Sequence, residues 1–560
     1  MVVENVGNRE PGTGNREPGT GNREPGTGNR EPGTGNREPW HTIQPLRHVL
    51  IVVRSPAALD RLEDIAPLLL RDRRLEVWFT IAPGSRFSGG LSKRLSDAGA
   101  LLLSWENVDQ RRFDLIVAAS ENSDFARLRG PIVLLPHGAG YHRHSPHDRQ
   151  WPSGLSKTAL IQNDHVLPTT IVVADADQLD VMRSVDPRLP AHALVAGDPC
   201  LDRLRASRPH RELHRRAYQA DGRHLVLLCS TWGPNSLYGH RPDFAERLVT
   251  HLPADEYRVV LTLHPNIWEL HGPLQVNAWL RPAVTAGLVV VPPTRDWRPA
   301  LLAADLVVSD HGSLTFYAAA LGLPTLIAAD GADEVVAHSP MADLIARLPR
   351  LTDADRTEIA RALRAPDATP HRPPTLDVLI GHLYSLLGLP DDSDAPVPPA
   401  VPVPDTEVPA PPHFQIKVIA ARRHGDSAEI TLERTTARWR ADGSFLTAAE
   451  HCADLALLER AGAIYAEHPH ARADTAAARA RNLRETFPGA RVALVSIDET
   501  RVAVAVDNGT SVARTTAPVS ATAAALHWWS TIPLPERPTT IHVRAGTVTG
   551  VVTTDADPMA

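Results

Sequence analysis

The chain of 560 residues has little cysteine, no excess of positive charge and no long apolar run. Its three cysteines, Cys200, Cys229 and Cys452, are odd in number and far apart, so they predict no disulfide framework and favour a reducing compartment. The formal net charge of −7 argues against a nucleic-acid partner, because general nucleic-acid binders present a basic face. No apolar run reaches the roughly 18 residues that a membrane-spanning helix needs. We therefore expect a cytoplasmic protein with at most peripheral contact at the inner face of the cell membrane.

The first 40 residues contain few apolar residues, and the repeat that fills most of them has none. The heptapeptide GNREPGT occurs four times from Gly7 onward and is broken in a fifth copy at Trp40. Each unit carries a proline and two glycines and has no apolar pair at coiled-coil spacing, which excludes a coiled coil. Such a repeat buries too little apolar surface to offset chain entropy. We therefore predict that residues 1–40 are disordered.

Hydrophobic residues make up 43% of the chain, and its length suits three or four domains of about 150 residues each. Short continuous apolar runs alternate with helical patterns such as 56–74 and 244–252. Runs without period-two alternation are typical of strands buried on both faces of a parallel sheet. The first series of predicted strands comprises 48–53, 75–82, 100–105, 113–120, 131–138, 170–177 and 193–199. The second series comprises 224–231, 257–265, 288–293, 306–312 and 324–330.

The polar stretch 200–224 separates the two series, and the helices between strands fit right-handed crossovers. The predicted fold class is α/β, with Rossmann-like doubly wound domains at 41–205 and 206–388 that face one another across a cleft. The proline-rich acidic segment 389–412 is typical of a semi-rigid extended linker. Residues 413–560 mix strand and helix patterns and predict a separate α+β domain of unknown role, with helices at 445–468 and 473–487.

The stretch 306–330 has the pattern strand, tight turn, short helix, strand. Its first strand ends at Ser309. Gly312 then lets the backbone turn, and Ser313 occupies the position expected of an N-cap. A helix that begins after the carboxyl end of a parallel strand presents backbone N–H groups and a positive dipole end to a ligand. We expect a phosphate or diphosphate to bind there; an ordinary strand-to-helix turn is the alternative.

The loop PHGAGYHRHSPH at 136–147 follows an apolar strand and places His137 at the carboxyl end of that strand. A histidine there is a candidate general base, since its pKa lies close enough to neutrality to take a proton from a hydroxyl. The same loop contains His142, His144 and His147, whose spacing is not one of the usual zinc patterns. We therefore predict solvated imidazoles in a polar loop rather than a metal site.

Two further strand ends carry polar side chains. His264 directly follows a buried strand, where a donor could face a phosphate across the cleft; a histidine that merely ends its strand is the alternative. Ser230 and Thr231 end the strand that begins the second series and offer hydroxyl and amide donors. Because the carboxyl ends of neighbouring parallel strands lie at one sheet edge, we expect the loops near 230, 264 and 311 to converge.

The order of these motifs resembles the CDP-glycerol glycerophosphotransferase family, whose members are GT-B enzymes that build teichoic-acid chains. The resemblance covers about residues 41–385, rests on five short motifs in the same order, and places His137 on the family's catalytic histidine. The matching residues are Leu135-Pro136-His137-Gly138, Gly197-Asp198-Pro199 with Asp202, Ser230-Thr231-Trp232, Leu263-His264-Pro265, and Ala304-Asp305 with Ser309-Asp310-His311-Gly312-Ser313 and Phe316.

The sequence departs from the family pattern at several positions. His311 and Gly312 replace a tyrosine and a serine, and Tyr317 replaces an acidic residue that often follows the phenylalanine. Residues 139–143 also differ from the pattern, so the donor nucleotide and the transferred group stay open. The Gly-Ser pair resembles the phosphate loop of UDP-GlcNAc 2-epimerases as well, but the glutamate that follows that loop in epimerases is missing, which disfavours an epimerase.

The resemblance implies a transferase that moves a glycerophosphate-type (alditol phosphate) group from a CDP-alcohol donor to an acceptor hydroxyl in cell-wall or capsule polymer synthesis. The implied catalytic residues are His137 and His264, and the implied nucleotide- and diphosphate-binding residues are Ser230, Thr231, His311, Gly312 and Ser313. No cofactor or metal is implied, because helix amides and histidines can stabilise charge on the diphosphate.

Two other functions stay open at this point. One is a GT-B glycosyltransferase that uses a nucleotide sugar, and the other is a non-catalytic GT-B-like binding protein that carries residues 413–560 as its working part. If the acceptor is lipid-linked, the stretch 203–224, rich in arginine and histidine, could meet anionic lipid. A solvated linker helix is the alternative for that stretch.

Overall fold

The computed structural model describes residues 42–85, 90–136, 138–144, 150–352, 356–364, 375–391, 397–437, 443–469, 472–507 and 509–554. The predictions made for residues 1–40, His137 and His147 lie outside these ranges and stay predictions. The elements described below belong to one unit, Pro45–Ala560.

The first sheet is parallel throughout, as the continuous apolar runs predicted. Its seven strands are β1 (Arg47–Val53), β2 (Leu75–Ile81), β3 (Leu101–Leu102), β4 (Leu115–Ala118), β5 (Ile132–Leu134), β6 (Thr170–Val173) and β7 (Ala193–Val195). They lie in the order β3-β2-β1-β4-β5-β6-β7, so the direction of strand addition reverses between β1 and β4. A separate small hairpin pairs Ile161–Gln162 with His165–Val166.

Apolar side chains cover both faces of this sheet. Val49 and Ile51 belong to one buried cluster and Leu50 and Val52 to another, because successive side chains of a strand point to opposite faces. The helices that precede the second sheet are Pro56–Leu62, Ala66–Leu70, Leu91–Asp97, Lys157–Leu160, Gln178–Val185, Pro199–Ser207 and Arg211–Ala217. The single helix predicted at 56–74 is therefore two short ones. The second begins just before Pro67, which fits a first turn but not a helix interior.

The second sheet is also parallel. Its strands are β8 (His224–Ser230), β9 (Tyr257–Leu263), β10 (Val289–Val291), β11 (Leu306–Ser309) and β12 (Thr325–Ile327), in the order β10-β9-β8-β11-β12. The helices of this region are Leu237–His240, Phe244–His251, Pro265–His271, Pro273–Thr285, Arg298–Ala303, Ser313–Ala320, Pro340–Arg347 and Arg356–Ala362. The predicted α/β fold with parallel sheets is confirmed.

The helix Leu376–Leu387 follows the second sheet in sequence but packs against the first. Its Leu379 and Leu383 side chains are fully buried in the same cluster as Val49. The predicted domain range 206–388 therefore needs a correction at its end. The local sequence indicates a helix with an apolar face, but it does not indicate which sheet that face covers.

Residues 397–412 contain no helix or strand, yet they lie against the second sheet's helices. Val401 is 2% exposed and packs in the cluster on one face of that sheet. Its N–H donates to Ser207 Oγ at 3.0 Å, and Arg203 Nε donates to Pro399 O at 2.9 Å. The segment predicted as an extended linker is thus held against the protein by specific contacts.

The C-terminal part is a closed, nine-stranded mixed sheet. Its strands are β13 (His413–His424), β14 (Ser427–Thr435), β15 (Ser444–Ala449), β16 (Ala463–Ala466), β17 (Val492–Ser496), β18 (Arg501–Val506), β19 (Gly509–Thr515), β20 (Thr540–Ala545) and β21 (Val548–Thr554). The order is β13-β14-β20-β21-β19-β18-β17-β16-β15, and β15 pairs again with β13. The helices are Leu455–Arg460, Ala473–Thr486 and Val519–Ser530. Among the described helices of the whole chain, none combines the length and apolar character needed to cross a membrane.

The helix predicted at 445–468 is wrong, since this stretch forms β15, a short helix and β16. Its alanines have high intrinsic helix propensity, but Ala448 and Ala463 are fully buried in strands whose small side chains fit tight packing. Pairing with distant strands overrides the local preference. The helix predicted at 473–487 is confirmed by Ala473–Thr486.

The closed sheet contacts the amino ends of the second sheet's strands. Asp255, two residues before β9, forms two hydrogen bonds of 2.6 and 2.7 Å with the Arg434 guanidinium, and both side chains are buried. The Ala254 N–H donates to Arg434 O at 2.8 Å, and Thr547 Oγ1 donates to Asp255 O at 3.2 Å. The closed sheet therefore lies at the edge opposite to the carboxyl ends of β8, β9 and β11.

Candidate functional site

Three loops meet at the carboxyl edge of the second sheet, where β8, β9 and β11 end. β8 lies between β9 and β11, so the residues that follow these strands are neighbours. The His264 N–H donates to Ser230 O at 2.9 Å, which joins the first two loops. The structure thus brings together the loops near 230, 264 and 311 that the sequence predicted to converge.

Asp310, which was not among the predicted site residues, joins two of these loops, those near 230 and 311. Its carboxylate is fully buried and accepts hydrogen bonds from the backbone N–H of Thr231 (2.9 Å), Leu237 (2.8 Å) and Gly312 (2.9 Å). Ser230 Oγ also donates to it at 3.2 Å. Burial raises the pKa of Asp310, and the neighbouring His311 and the N–H donors oppose that rise. Asp310 therefore acts as an internal brace for the site.

The helix Ser313–Ala320 begins at this edge. Gly312 is its N-cap, with φ −77° and ψ 162°, and no side chain caps it. The prediction of Ser313 as the N-cap is therefore wrong by one residue. Ser313 Oγ instead accepts a hydrogen bond at 3.2 Å from the N–H of Ala139, which belongs to the loop after β5 of the first sheet.

Gly138, in the same loop, lies close enough to Ser313 that a side chain would not fit. A Cβ at Gly138 would lie 2.8 Å from Ser313 Oγ, which is below van der Waals contact. The glycine therefore permits the loop after β5 to reach the start of the helix. His137 precedes Gly138 directly in the chain and lies outside the described residues.

His264 caps the helix Pro265–His271 with its side chain. Its Nδ1 accepts from the Asn266 N–H at 3.1 Å, so the neutral ring carries its proton on Nε2. The ring centroid lies 6.3 Å from that of Trp232. His264 can therefore act as an N–H donor at this edge while its other ring nitrogen holds the helix start.

The other predicted site residues are more enclosed. Ser230 is 6% exposed, and its hydroxyl donates to Asp310 and accepts from the Tyr238 N–H at 2.9 Å. The His311 side chain has no exposed surface, and a Cβ at Gly331 would collide with its ring. Burial lowers the pKa of His311, so the imidazole is neutral at pH 7. The buried His311 ring packs against Gly331 and contacts Glu334.

An ion-pair cluster that no sequence pattern predicted connects the two sheets beside the site. Arg143, from the loop after β5, donates to Thr231 Oγ1 at 3.3 Å and Trp232 O at 2.9 Å, and it forms an ion pair with Glu334. Glu334 also accepts from Asn235 Nδ2 at 3.0 Å and contacts the His311 ring. Arg143 and Glu334 are 191 positions apart, and no local pattern links them.

A second buried cluster joins the sheets behind the loop after β5. Arg61 donates to both carboxylate oxygens of Asp198, at 3.2 and 3.1 Å, and to Gly138 O at 2.5 Å. It also donates to the Tyr317 hydroxyl, which itself donates to Asp198 Oδ2 at 2.7 Å. Tyr317 therefore serves this contact between domains, where the family pattern often has an acidic residue. Asp202, another motif match, accepts hydrogen bonds from the N–H groups of Thr375 and Leu376. It thereby anchors the start of the helix Leu376–Leu387.

The remaining candidate residues form no new site. His142 Nε2 bonds to Ala139 O at 2.9 Å, and no three metal-ligating side chains cluster anywhere in the described ranges. In the basic stretch 203–224, Arg203 pairs with Asp64 at 3.2 Å. Both Arg211 and Arg215 pair with Asp305, at 2.5 and 2.7 Å. These three arginines therefore form ion pairs within the protein, and contact of the stretch with lipid stays a prediction.

Comparison with known proteins gives structural similarities only. No family model matches the chain, and no curated protein matches it. The wall teichoic acid polymerase TagF is similar at 11% identity over 51% of this chain and 70% of that chain, with a TM-score of 0.35. HepE of Anabaena, solved with UDP-glucose, is similar at 16% identity over 61% of this chain and 92% of that chain, with a TM-score of 0.36. S. aureus MnaA, solved with UDP, is similar at 11% identity over 63% of this chain and 99% of that chain, with a TM-score of 0.41.

Proposed function

We propose that the protein is a GT-B-type transferase that moves an alditol-phosphate group from a CDP-alcohol donor to an acceptor hydroxyl of a cell-wall or capsule polymer. The observation that carries the proposal is the 3.2 Å hydrogen bond from the Ala139 N–H to Ser313 Oγ. It joins the loop that follows His137 to the start of the helix Ser313–Ala320. The loop that follows the candidate base and the candidate diphosphate site thus come from different sheets and meet at one sheet edge.

In this proposal the second sheet binds the donor. The helix Ser313–Ala320 directs its positive dipole end at the diphosphate. His264 donates from Nε2 to a phosphate oxygen, because its Nδ1 is occupied as an acceptor. Asp310 fixes the positions of Thr231 and Gly312, so the donors around the phosphate are arranged before the ligand arrives.

His137 takes the proton of the acceptor hydroxyl in this proposal. The acceptor oxygen then attacks the β-phosphorus in line, a new P–O bond forms, and the bond between that phosphorus and the bridging oxygen breaks. The products are the extended acceptor and CMP. The contacts of Arg61 with Gly138 and of Ser313 with Ala139 hold the loop after His137 from both sides.

A donor panel tests the donor assignment. CDP-glycerol, CTP, UDP-glucose and buffer are compared by thermal melting, since a ligand at 100 times its Kd stabilises the folded protein by about 2.7 kcal/mol. The proposal expects stabilisation by CDP-glycerol and not by UDP-glucose. Stabilisation by UDP-glucose alone would replace it with a nucleotide-sugar glycosyltransferase. No stabilisation by CDP-glycerol or by UDP-glucose would favour the non-catalytic binding protein.

His137→Ala tests the base assignment. Release of CMP from CDP-glycerol is expected to slow by roughly 10²-fold or more while donor-dependent stabilisation stays intact, because a general base acts mainly in the transition state. The matched control is His165→Ala, which changes an exposed histidine in the small hairpin of the first domain. Equal turnover in both variants would remove His137 from the mechanism.

A further inference from the structure

An arginine without a partner lies at the start of β9, at the edge of the second sheet opposite to the proposed transfer site. Arg258 is 7% exposed, and its Nε is buried without a hydrogen-bond partner. Among the described residues no carboxylate or carbonyl is within bonding distance of its guanidinium. The other buried arginines of the described residues form ion pairs with carboxylates; Arg298, whose Nε also lacks a partner, pairs through Nη2 with Asp64 at 2.8 Å. Arg258 is therefore an exception that needs an explanation.

A second arginine lies beside it. Leu225 and Arg258 are register partners in β8 and β9, and Arg223 lies two residues before Leu225. Leu225 and Val260 belong to the same buried cluster on one face of the sheet. Arg258 is two residues before Val260 in β9, so its side chain leaves the strand on that same face. The charge of Arg223 acts on Arg258 and opposes its protonation.

In the described part of the chain, no carboxylate forms an ion pair with either guanidinium. Asp255 is the carboxylate that acts on Arg223, but it already accepts two short hydrogen bonds from Arg434. Burial, followed by the charge of Arg223, lowers the pKa of Arg258 to about 10, so Arg258 stays protonated at pH 7. Two cations therefore lie together in a partly enclosed place where an unpaired charge is unfavourable.

The place is the seam between the second sheet and the closed C-terminal sheet. A Cβ at Gly222, next to Arg223, would lie 3.0 Å from Thr547 Cγ2, and Thr547 Oγ1 donates to Asp255 O. Both arginines thus lie where the two folded parts meet. A ligand bound there would contact the second sheet without reaching the loops near 230, 264 and 311.

We propose that Arg223 and Arg258 form a binding site for a phosphate-type dianion at this seam. Two guanidinium groups balance two negative charges, whereas a single carboxylate would leave one cation unpaired. Each planar guanidinium can also donate two parallel hydrogen bonds to phosphate oxygens. The shared ligand chemistry is a phosphate dianion, either free inorganic phosphate or the terminal phosphate of a monoester.

Thermal melting tests the site in the full chain. The wild-type protein is titrated with inorganic phosphate, with glycerol 3-phosphate or with sodium chloride at equal ionic strength. A saturable rise in Tm with phosphate, absent with chloride, is expected, and the phosphate and glycerol 3-phosphate arms separate the free anion from the ester. The rise should disappear in Arg258→Gln and in Arg223→Gln. It should persist in the matched control Arg422→Gln, an exposed arginine of β13.

A second measurement uses the unpaired charge itself. In phosphate-free buffer Arg258→Leu is expected to melt at a higher temperature than the wild type, because the variant removes a buried cation that has no partner. No saturable phosphate effect in the wild type, or an effect that survives in both Arg258→Gln and Arg223→Gln, would overturn the proposal. So would a lower Tm of Arg258→Leu in phosphate-free buffer. None of these outcomes bears on CDP-glycerol binding, which the proposed function assigns to the opposite edge.

Discussion

Replacement of Asp310 by asparagine is the sharpest test of how the site is built. In the wild type Oδ1 accepts from the Gly312 N–H, while Oδ2 accepts from the Leu237 and Thr231 N–H groups. Asparagine has only one acceptor oxygen. Whichever way its amide turns, at least one backbone N–H faces an NH2 group instead of an acceptor.

The size of the effect follows from two opposing contributions. A buried N–H left without an acceptor costs about 1–3 kcal/mol. Burial raises the pKa of Asp310, so its folded-state pKa lies above the unfolded value. The ionised carboxylate therefore lowers stability at neutral pH, and the neutral amide relieves part of that cost. We expect Asp310→Asn to lower the free energy of unfolding by about 1–2 kcal/mol, and Asp310→Ala, which removes every acceptor, by more than about 3 kcal/mol.

Urea unfolding at pH 7 measures this difference, with Asp180→Asn as the control. Asp180 is exposed on the helix Gln178–Val185 and pairs with Arg183 on the same helix, so its replacement should change stability by less than about 0.5 kcal/mol. Donor-dependent stabilisation should weaken in Asp310→Asn as well, because Thr231 and Gly312 lose their common anchor. If Asp310→Asn unfolds at the same urea concentration as the wild type, Asp310 does not brace these loops.

Two further predictions concern stability. Deletion of residues 1–40 is expected to leave Tm and activity unchanged, because the repeat has little apolar surface to bury; a drop of several degrees on melting would show that the repeat binds the rest of the chain. His214 is fully buried, neither ring nitrogen has a hydrogen-bond partner among the described residues, and burial lowers its pKa below the usual 6.5. The stability that depends on its neutral form is present above about pH 6.5 and is lost as the pH falls through the folded-state pKa. His214→Phe should therefore lose less stability than the wild type between pH 7.5 and 5.5 in urea unfolding, while an equal loss in both proteins would contradict the assignment.

The strands of both parallel sheets could be predicted because most of them are continuous apolar runs that are buried; the edge strand β3, Leu101–Leu102, is apolar but exposed. The convergence of the loops near 230, 264 and 311 followed from the same reasoning, since neighbouring parallel strands end at one edge. The link between Arg143 and Glu334 could not be predicted, because it joins residues of different domains with no local pattern. The alanine-rich strand β15 was misread for a related reason, since its conformation depends on pairing with β13. Asp310 was visible in a motif, but its role depends on two N–H groups, of Thr231 and Leu237, from the loop after β8.

The helix Leu376–Leu387 has a consequence for the order in which the protein is made. A ribosome releases the first sheet long before this helix, and the whole second sheet is synthesised in between. Until then the face of β1 that carries Val49 and Ile51 lacks the side chains of Leu379 and Leu383. The first domain therefore cannot complete its core by itself as it emerges, and the usual order of one domain folding after another does not apply. The nascent chain must keep that apolar face from aggregating until the second sheet has been made and the chain returns to cover it.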